Sequence, residues 1–125
     1  MSVSELDEKV VQRVCDAMQA GAEGEEDMMN LFAEDGVLVE PFNGVPQTHT
    51  GKPAIRARYK EMVSMPRPPG FLLRVNSISR EGSSVFADWT CSADVFASPM
   101  AGRDEYVLDG GKIKKLQINI TRPPA

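Results

Sequence analysis

Residues 31–51, LFAEDGVLVEPFNGVPQTHTG, decide how the rest of the chain is read. Leu31, Phe32 and Ala33 read as the end of a helix and Glu34-Asp35-Gly36 as an acidic turn. Val37-Leu38-Val39 then form a short apolar strand that delivers one carboxylate, Glu40, against Pro41 and Phe42. Proline has no amide hydrogen and pushes the residue before it towards an extended backbone, so regular strand pairing is expected to stop at Glu40. An acid held at the end of an apolar strand is a candidate base. Its plainer reading is a solvated charge at a strand end. Asn43-Gly44 is a turn dipeptide and Gln47 to Thr50 a short returning strand, after which Pro53 falls in the first turn of a helix, where proline is tolerated.

Working upstream, Ser4-Glu5-Leu6-Asp7 has the pattern of a helix cap with acids near the positive helix end. Leu6, Val10, Val14 and Met18 recur every four residues, and Val11 and Cys15 widen the stripe into an amphipathic helix that Gly21 to Gly24 ends. A second helix opens with Glu25-Glu26-Asp27 and turns Met28, Met29, Leu31 and Phe32 inward. In the helix after Pro53, Ile55, Tyr59, Met62 and Val63 make the apolar face, with Arg56, Arg58 and Lys60 on the wet side. Pro66, Pro68, Pro69 and Gly70 stop that helix.

Downstream the period changes from helical to alternating. Strands are expected over 71–79, 85–96, 103–108 and 112–120, separated by turn-rich segments at 81–82, 98–102 and 109–111. Val85, Ala87, Trp89, Cys91, Ala93 and Val95 alternate with Asp88, Thr90, Ser92 and Asp94, so one face of that strand is buried. Helices first and a meandering sheet afterwards give an α+β domain: a curved, mostly antiparallel sheet wrapped around a long helix, with two further helices towards the N-terminus. Residues 121–125 read as a frayed tail.

A chain of 125 residues makes one domain, 1–125. With 18 acidic and 14 basic residues, a net charge of -4 and one histidine, it lacks the basic stripe of a nucleic-acid groove. Nothing approaches the ~20 apolar residues of a membrane span, and Met1-Ser2-Val3-Ser4-Glu5 lacks the basic and apolar regions of a signal peptide. A cytoplasmic protein is expected. Cys15 and Cys91 lack metal-type spacing and read as free thiols, and the lone His49 reads as a turn or surface residue. No phosphate loop, dinucleotide-binding glycine pattern or zinc spacing is present, and no cofactor or metal is expected.

Phe32-Ala33-Glu34-Asp35, Glu40-Pro41-Phe42, His49-Thr50-Gly51 and Ala54-Ile55 through Tyr59 resemble, in that order, the signature of the SnoaL-like and ketosteroid isomerase-like proteins of the NTF2-like superfamily. The similarity is closest over 25–62 and extends weakly to Asn119. It implies a cone-shaped fold, a homodimer, and a pocket for a small, mainly apolar carbonyl compound, steroid- or polyketide-like. Ketosteroid isomerases use a carboxylate base with an oxyanion hole made of a tyrosine and a protonated aspartic acid. Carried over by position, the base falls on Glu40 and the neutral acid on Asp104. The place of the oxyanion tyrosine is taken by Asp16, with Cys15 beside it. Tyr59 falls where members can carry a second tyrosine and is a candidate donor, its plainer reading being a core tyrosine at the helix–sheet boundary. Asp104 has a plainer reading too, as a solvated acid at a strand start.

Leu116, Ile118 and Ile120 share one face of the last strand. With Phe42, Met62 and Trp89 they would wall an apolar cavity, although core packing explains each of them equally well. The function implied is allylic or alpha-proton transfer of the isomerase type. The alternatives are a non-catalytic small-ligand-binding or dimerisation module on the same fold, and a polyketide cyclase-like enzyme.

Overall fold

The computed structural model describes residues 3–125. Met1 and Ser2, which begin the segment read as carrying no signal peptide, lie outside the described residues. Ser4 opens the first helix, its hydroxyl accepting the Asp7 amide hydrogen at 3.1 Å, and α1 runs Glu5–Ala20. Gly21 ends it with φ +71, a conformation that glycine adopts without penalty. A 3-10 turn, Gly21–Gly24, leads to α2, Glu25–Leu31. Gly24 has no room for a side chain, because a Cβ there would stand 2.1 Å from the Ala17 carbonyl oxygen.

The chain becomes extended at Phe32, so Phe32 and Ala33 belong to a strand rather than to a helix end. β1 spans Phe32–Glu40. It pairs in parallel with β6, Lys112–Gln117, but the register slips between Phe32↔Ile113 and Val37↔Lys115. The acidic segment of 33–36 therefore bulges from the ladder instead of making a separate turn. β2 (Gln47–Thr50) returns antiparallel to β1, and α3 (Lys52–Met62) follows with Pro53 in its first turn.

β3 (Leu72–Glu81), β4 (Ser84–Ser92), β5 (Met100–Asp109), β6 and β7 (Ile120–Arg122) complete one curved sheet in the order β2-β1-β6-β5-β4-β3. Every pairing except β1 with β6 is antiparallel, and β7 adds to β5 after the chain has left β6. Two backbone bonds make that departure: the Ile118 amide donates to the Val39 carbonyl at 2.8 Å, and the Asn119 carbonyl accepts from the Arg103 amide at 3.0 Å. Leu116 and Ile118 stay buried. Ile120 moves onto β7 and is half-buried, so it does not share their face as expected. Residues 121–125 are not wholly a tail, since β7 includes Thr121 and Arg122 and the Ala97 amide donates to the Ala125 carbonyl.

The strict alternation of β4 buries Val85, Ala87, Trp89 and Cys91 on the concave side, and β5 buries Gly102, Asp104 and Tyr106 beside them. Val10, Val11, Val14 and Ala17 of α1 pack into this concavity together with Met28, Met29 and Phe32. Trp89 faces Gly102 across the ladder, and a Cβ at Gly102 would stand 2.2 Å from its ring. The missing side chain at 102 is what lets the indole lie flat on β5 and reach Asp104.

Candidate functional site

Between α1, α3 and the concave sheet lies a cavity of about 370 Å³. Its floor is Trp89, Asp104 and Tyr106, with Cys15 above them and Phe42 and Met62 among its other lining residues. Asp104 is only 9% exposed, and the Trp89 indole N–H donates to its Oδ1 at 2.8 Å. Burial strips the carboxylate of hydration and dominates the titration. The Trp89 hydrogen bond and the Asn119 backbone oppose it, the charge of Asp88 adds to it, and the group is pushed up to about 7.

Tyr106 stands two residues along the same strand face, 2% exposed. Its hydroxyl has no hydrogen-bond partner among the described residues, and burial, reinforced by Asp104 and Cys15, raises it well above the ordinary phenol value. The cavity floor therefore carries two groups that are both neutral below about pH 7, and both are able to donate.

Glu40 is placed differently from a solvated strand end and from a free base. It is wholly buried, its oxygens are fully engaged, and it is not among the cavity's lining residues. Arg58 Nε donates to Oε2 at 2.9 Å and Nη2 to Oε1 at 3.2 Å. His49 Nε2 lies 2.8 Å from Oε2, and the Phe42 amide donates to Oε1 at 2.9 Å. Desolvation works against the charge, but the Arg58, His49 and Phe42 hydrogen bonds outweigh it and hold the carboxyl below its usual value. Pro41 is the local cause: it ends β1 and turns the Phe42 amide back onto the side chain of Glu40.

Arg58, expected on the wet face of α3, is buried because it lies three residues after Ile55 on the helix surface and its side chain turns inward onto Glu40. That spacing was visible in the sequence, but the charge pointed to solvent. His49 sits in β2 rather than in a turn. The Tyr59 hydroxyl lies 2.8 Å from the carbonyl oxygens of both Ala17 and Gly21, and burial pushes it up to about 12. It ties down the end of α1 and does not line the cavity.

Asp16 is exposed, accepts a hydrogen bond from Gln12 at 3.0 Å, and points away, while its neighbour Cys15 faces the cavity. Of the expected wall, Phe42, Met62, Trp89 and Ile118 line the cavity. Leu116 is core, and Ile120 lies outside the lining. Tyr106 was not singled out from the sequence, although strand alternation from Asp104 points to it. Among the described residues, no three His, Cys, Asp or Glu side chains are placed to hold a metal ion, and no helix is long and apolar enough to cross a membrane.

The sequence profile of the SnoaL-like domain matches residues 11–116. The chain belongs to the SnoaL-like domain family. No curated protein matches this SnoaL-like chain in sequence.

Among solved structures it is similar to a proposed ketosteroid isomerase from Kribbella flavida DSM 17836, with 15% identity and a TM-score of 0.71 over 96% of this chain and 81% of that one. A protein of ketosteroid isomerase-like fold from Catenulispora acidiphila DSM 44928, in complex with trimethylamine, is 18% identical with a TM-score of 0.66 over 88% and 83%. A proposed polyketide cyclase from Sinorhizobium meliloti is 19% identical with a TM-score of 0.66 over 89% and 94%. At these identities the likeness extends to the fold of the SnoaL-like domain, and the chemistry must be argued from its own side chains.

Proposed function

We propose that this SnoaL-like protein binds a small, mainly apolar carbonyl compound in the cavity, with the carbonyl oxygen received by the Asp104 carboxyl and the Tyr106 hydroxyl. The observation that carries this reading is the pairing of a buried acid, pushed up to about 7, with an unengaged phenol on one face of β5. Two neutral donors aimed at one oxygen stabilise an enolate more than a ketone, because negative charge gathers on that oxygen as the adjacent proton leaves. Apolar walls strengthen the effect by excluding water.

Isomerase-type proton transfer also needs a base. Glu40, the acid in the family's base position, would have to give up Arg58 and His49 to serve. The arrangement thus supports carbonyl binding and enolate stabilisation more directly than a complete isomerase. The engagement of Glu40 favours, as second reading, a binding protein without turnover. A polyketide cyclase-like role would place the same demand on the Asp104–Tyr106 pair.

Titration with a cyclic enone, followed by the fluorescence of the single tryptophan, Trp89, tests the reading. Each of Asp104→Ala, which removes the donor that asparagine would retain, and Tyr106→Phe is expected to weaken binding about tenfold, the worth of one good hydrogen bond. Unchanged affinity in the double variant would remove the proposed site. Deuterium exchange next to the carbonyl separates the two readings: acceleration lost in Asp104→Ala belongs to the enzyme, and binding without acceleration to the binder.

A further inference from the structure

Arg67 lies in the proline-rich link between α3 and β3 and lines the same cavity. Pro66, Pro68 and Pro69 restrict the backbone around it. The side chain is held as well: one Nη donates to the Met18 carbonyl at the end of α1, the guanidinium carbon lies 4.6 Å from the centre of the Phe71 ring, and Nε is buried with no hydrogen-bond partner among the described residues.

The charges that line the cavity are unequal in one respect. Arg58 is matched by Glu40 and lies 3.9 Å from Glu61. Among the described residues, no carboxylate comes within ion-pair distance of Arg67. A partly buried guanidinium without a counter-ion is costly unless an anion joins it. The guanidinium is a planar fork suited to a carboxylate, and it is already held in place, so little freedom is lost when an anion binds. The guanidinium of Arg58 is already paired with Glu40, so a phosphate dianion would meet fewer free donors at Arg67 than it needs.

We infer that Arg67 receives a carboxylate of the bound molecule, and that the ligand class is therefore an apolar keto acid with its ketone at the Asp104–Tyr106 floor and its acid at Arg67. The inference rests on the carbonyl-binding reading above and narrows it. Holding both ends of the molecule fixes its direction in the cavity, which a single carbonyl contact does not.

The probes are 4-oxo-4-phenylbutanoate and its amide, 4-oxo-4-phenylbutanamide, which share the ketone and nearly the same shape. Both are titrated by Trp89 fluorescence at mildly acidic pH. Wild type is expected to bind the acid at least about tenfold more tightly than the amide, as a charge-assisted pair requires. Arg67→Gln should erase that preference while the amide affinity stays within about twofold, and Arg67→Lys, which keeps the charge but not the fork, should retain part of it.

Equal affinities in wild type, or a preference that survives in Arg67→Gln, would overturn the inference. If Arg67→Gln fails to fold after losing its contact with Met18, Arg67→Lys carries the assignment, and a preference left there at its full wild-type value would overturn it. Amide binding without preference for the acid would sink the role of Arg67 and leave the carbonyl site standing. Absence of binding by either probe would remove both.

Discussion

Glu40→Gln is expected to lower the unfolding free energy by about 3 kcal/mol at neutral pH, the low end of what breaking a buried ion pair costs when one partner is left behind. The variant keeps the shape of the side chain but removes the charge that Arg58 and His49 surround. It also puts an amide N–H₂ where two or more of the groups facing Glu40 are themselves donors. The low end applies because the side chain of His49 is 20% exposed and water can reach that side of the cluster.

The pH dependence follows from the direction of the shift. The folded-state value of Glu40 lies below its ordinary value of 4.5, so its contribution is complete above that value and is lost as pH falls through the folded-state value. Urea denaturation of wild type and variant should therefore differ at neutral pH and converge in acid. A double change, Glu40→Leu with Arg58→Met, should recover much of the loss, because no unpaired charge then remains. A difference below about 1 kcal/mol at neutral pH would mean that the cluster is far more hydrated than its geometry indicates. Loss of activity in Glu40→Gln alone would not identify Glu40 as a base, since the variant also disturbs the fold between β1 and α3.

Asp104→Asn should act in the opposite direction. The acid is raised from an ordinary 3.8 to about 7, so the folded protein holds a proton that the unfolded chain has released. Stability is then lost progressively as pH rises between those two values, and the full penalty is present above about 7. A shift of about three units corresponds to roughly 4 kcal/mol as an upper figure. Asparagine does not titrate, and its carbonyl can still accept from Trp89. The variant should be more stable than wild type at alkaline pH, by up to that amount, and show little pH dependence of its own across the window. An acid whose ionisation costs the fold stability above neutral pH is the pattern expected where a residue is kept for function at the expense of the fold. Parallel stability curves for the two proteins would show that Asp104 is an ordinary surface-like acid.

The order of elements was legible in the sequence because it depends on local chemistry. Ser4 caps α1 as its side chain allows, Pro53 enters α3 in its first turn, and the alternation from Val85 to Cys91 buries one face of β4. What the sequence concealed depends on partners far along the chain. Phe32 joins a strand because Ile113 pairs with it, and the break between β6 and β7 follows from hydrogen bonds to Val39 and Arg103.

At the site, the motif located Glu40 without showing what surrounds it. Arg58 and His49 turn it from an isolated acid into the centre of a buried hydrogen-bonded cluster, and neither partner could be assigned to it before the fold brought α3 and β2 together. The burial of Tyr59 followed from its helix face, but the destination of its hydroxyl, two carbonyls at the end of α1, did not. Asp104 lines the cavity, and strand alternation places Tyr106 beside it, where the proposed site takes the phenol that neither Asp16 nor Tyr59 offers.

The chemistry proposed for the cavity depends most on Asp104 being a protonated acid. Carbon-detected NMR of its side-chain carboxyl across a pH series, with Asp104→Asn to assign the signal, measures this directly. A midpoint near 7 is predicted, whereas a midpoint near the ordinary 3.8 would contradict it and leave the cavity without its second neutral donor.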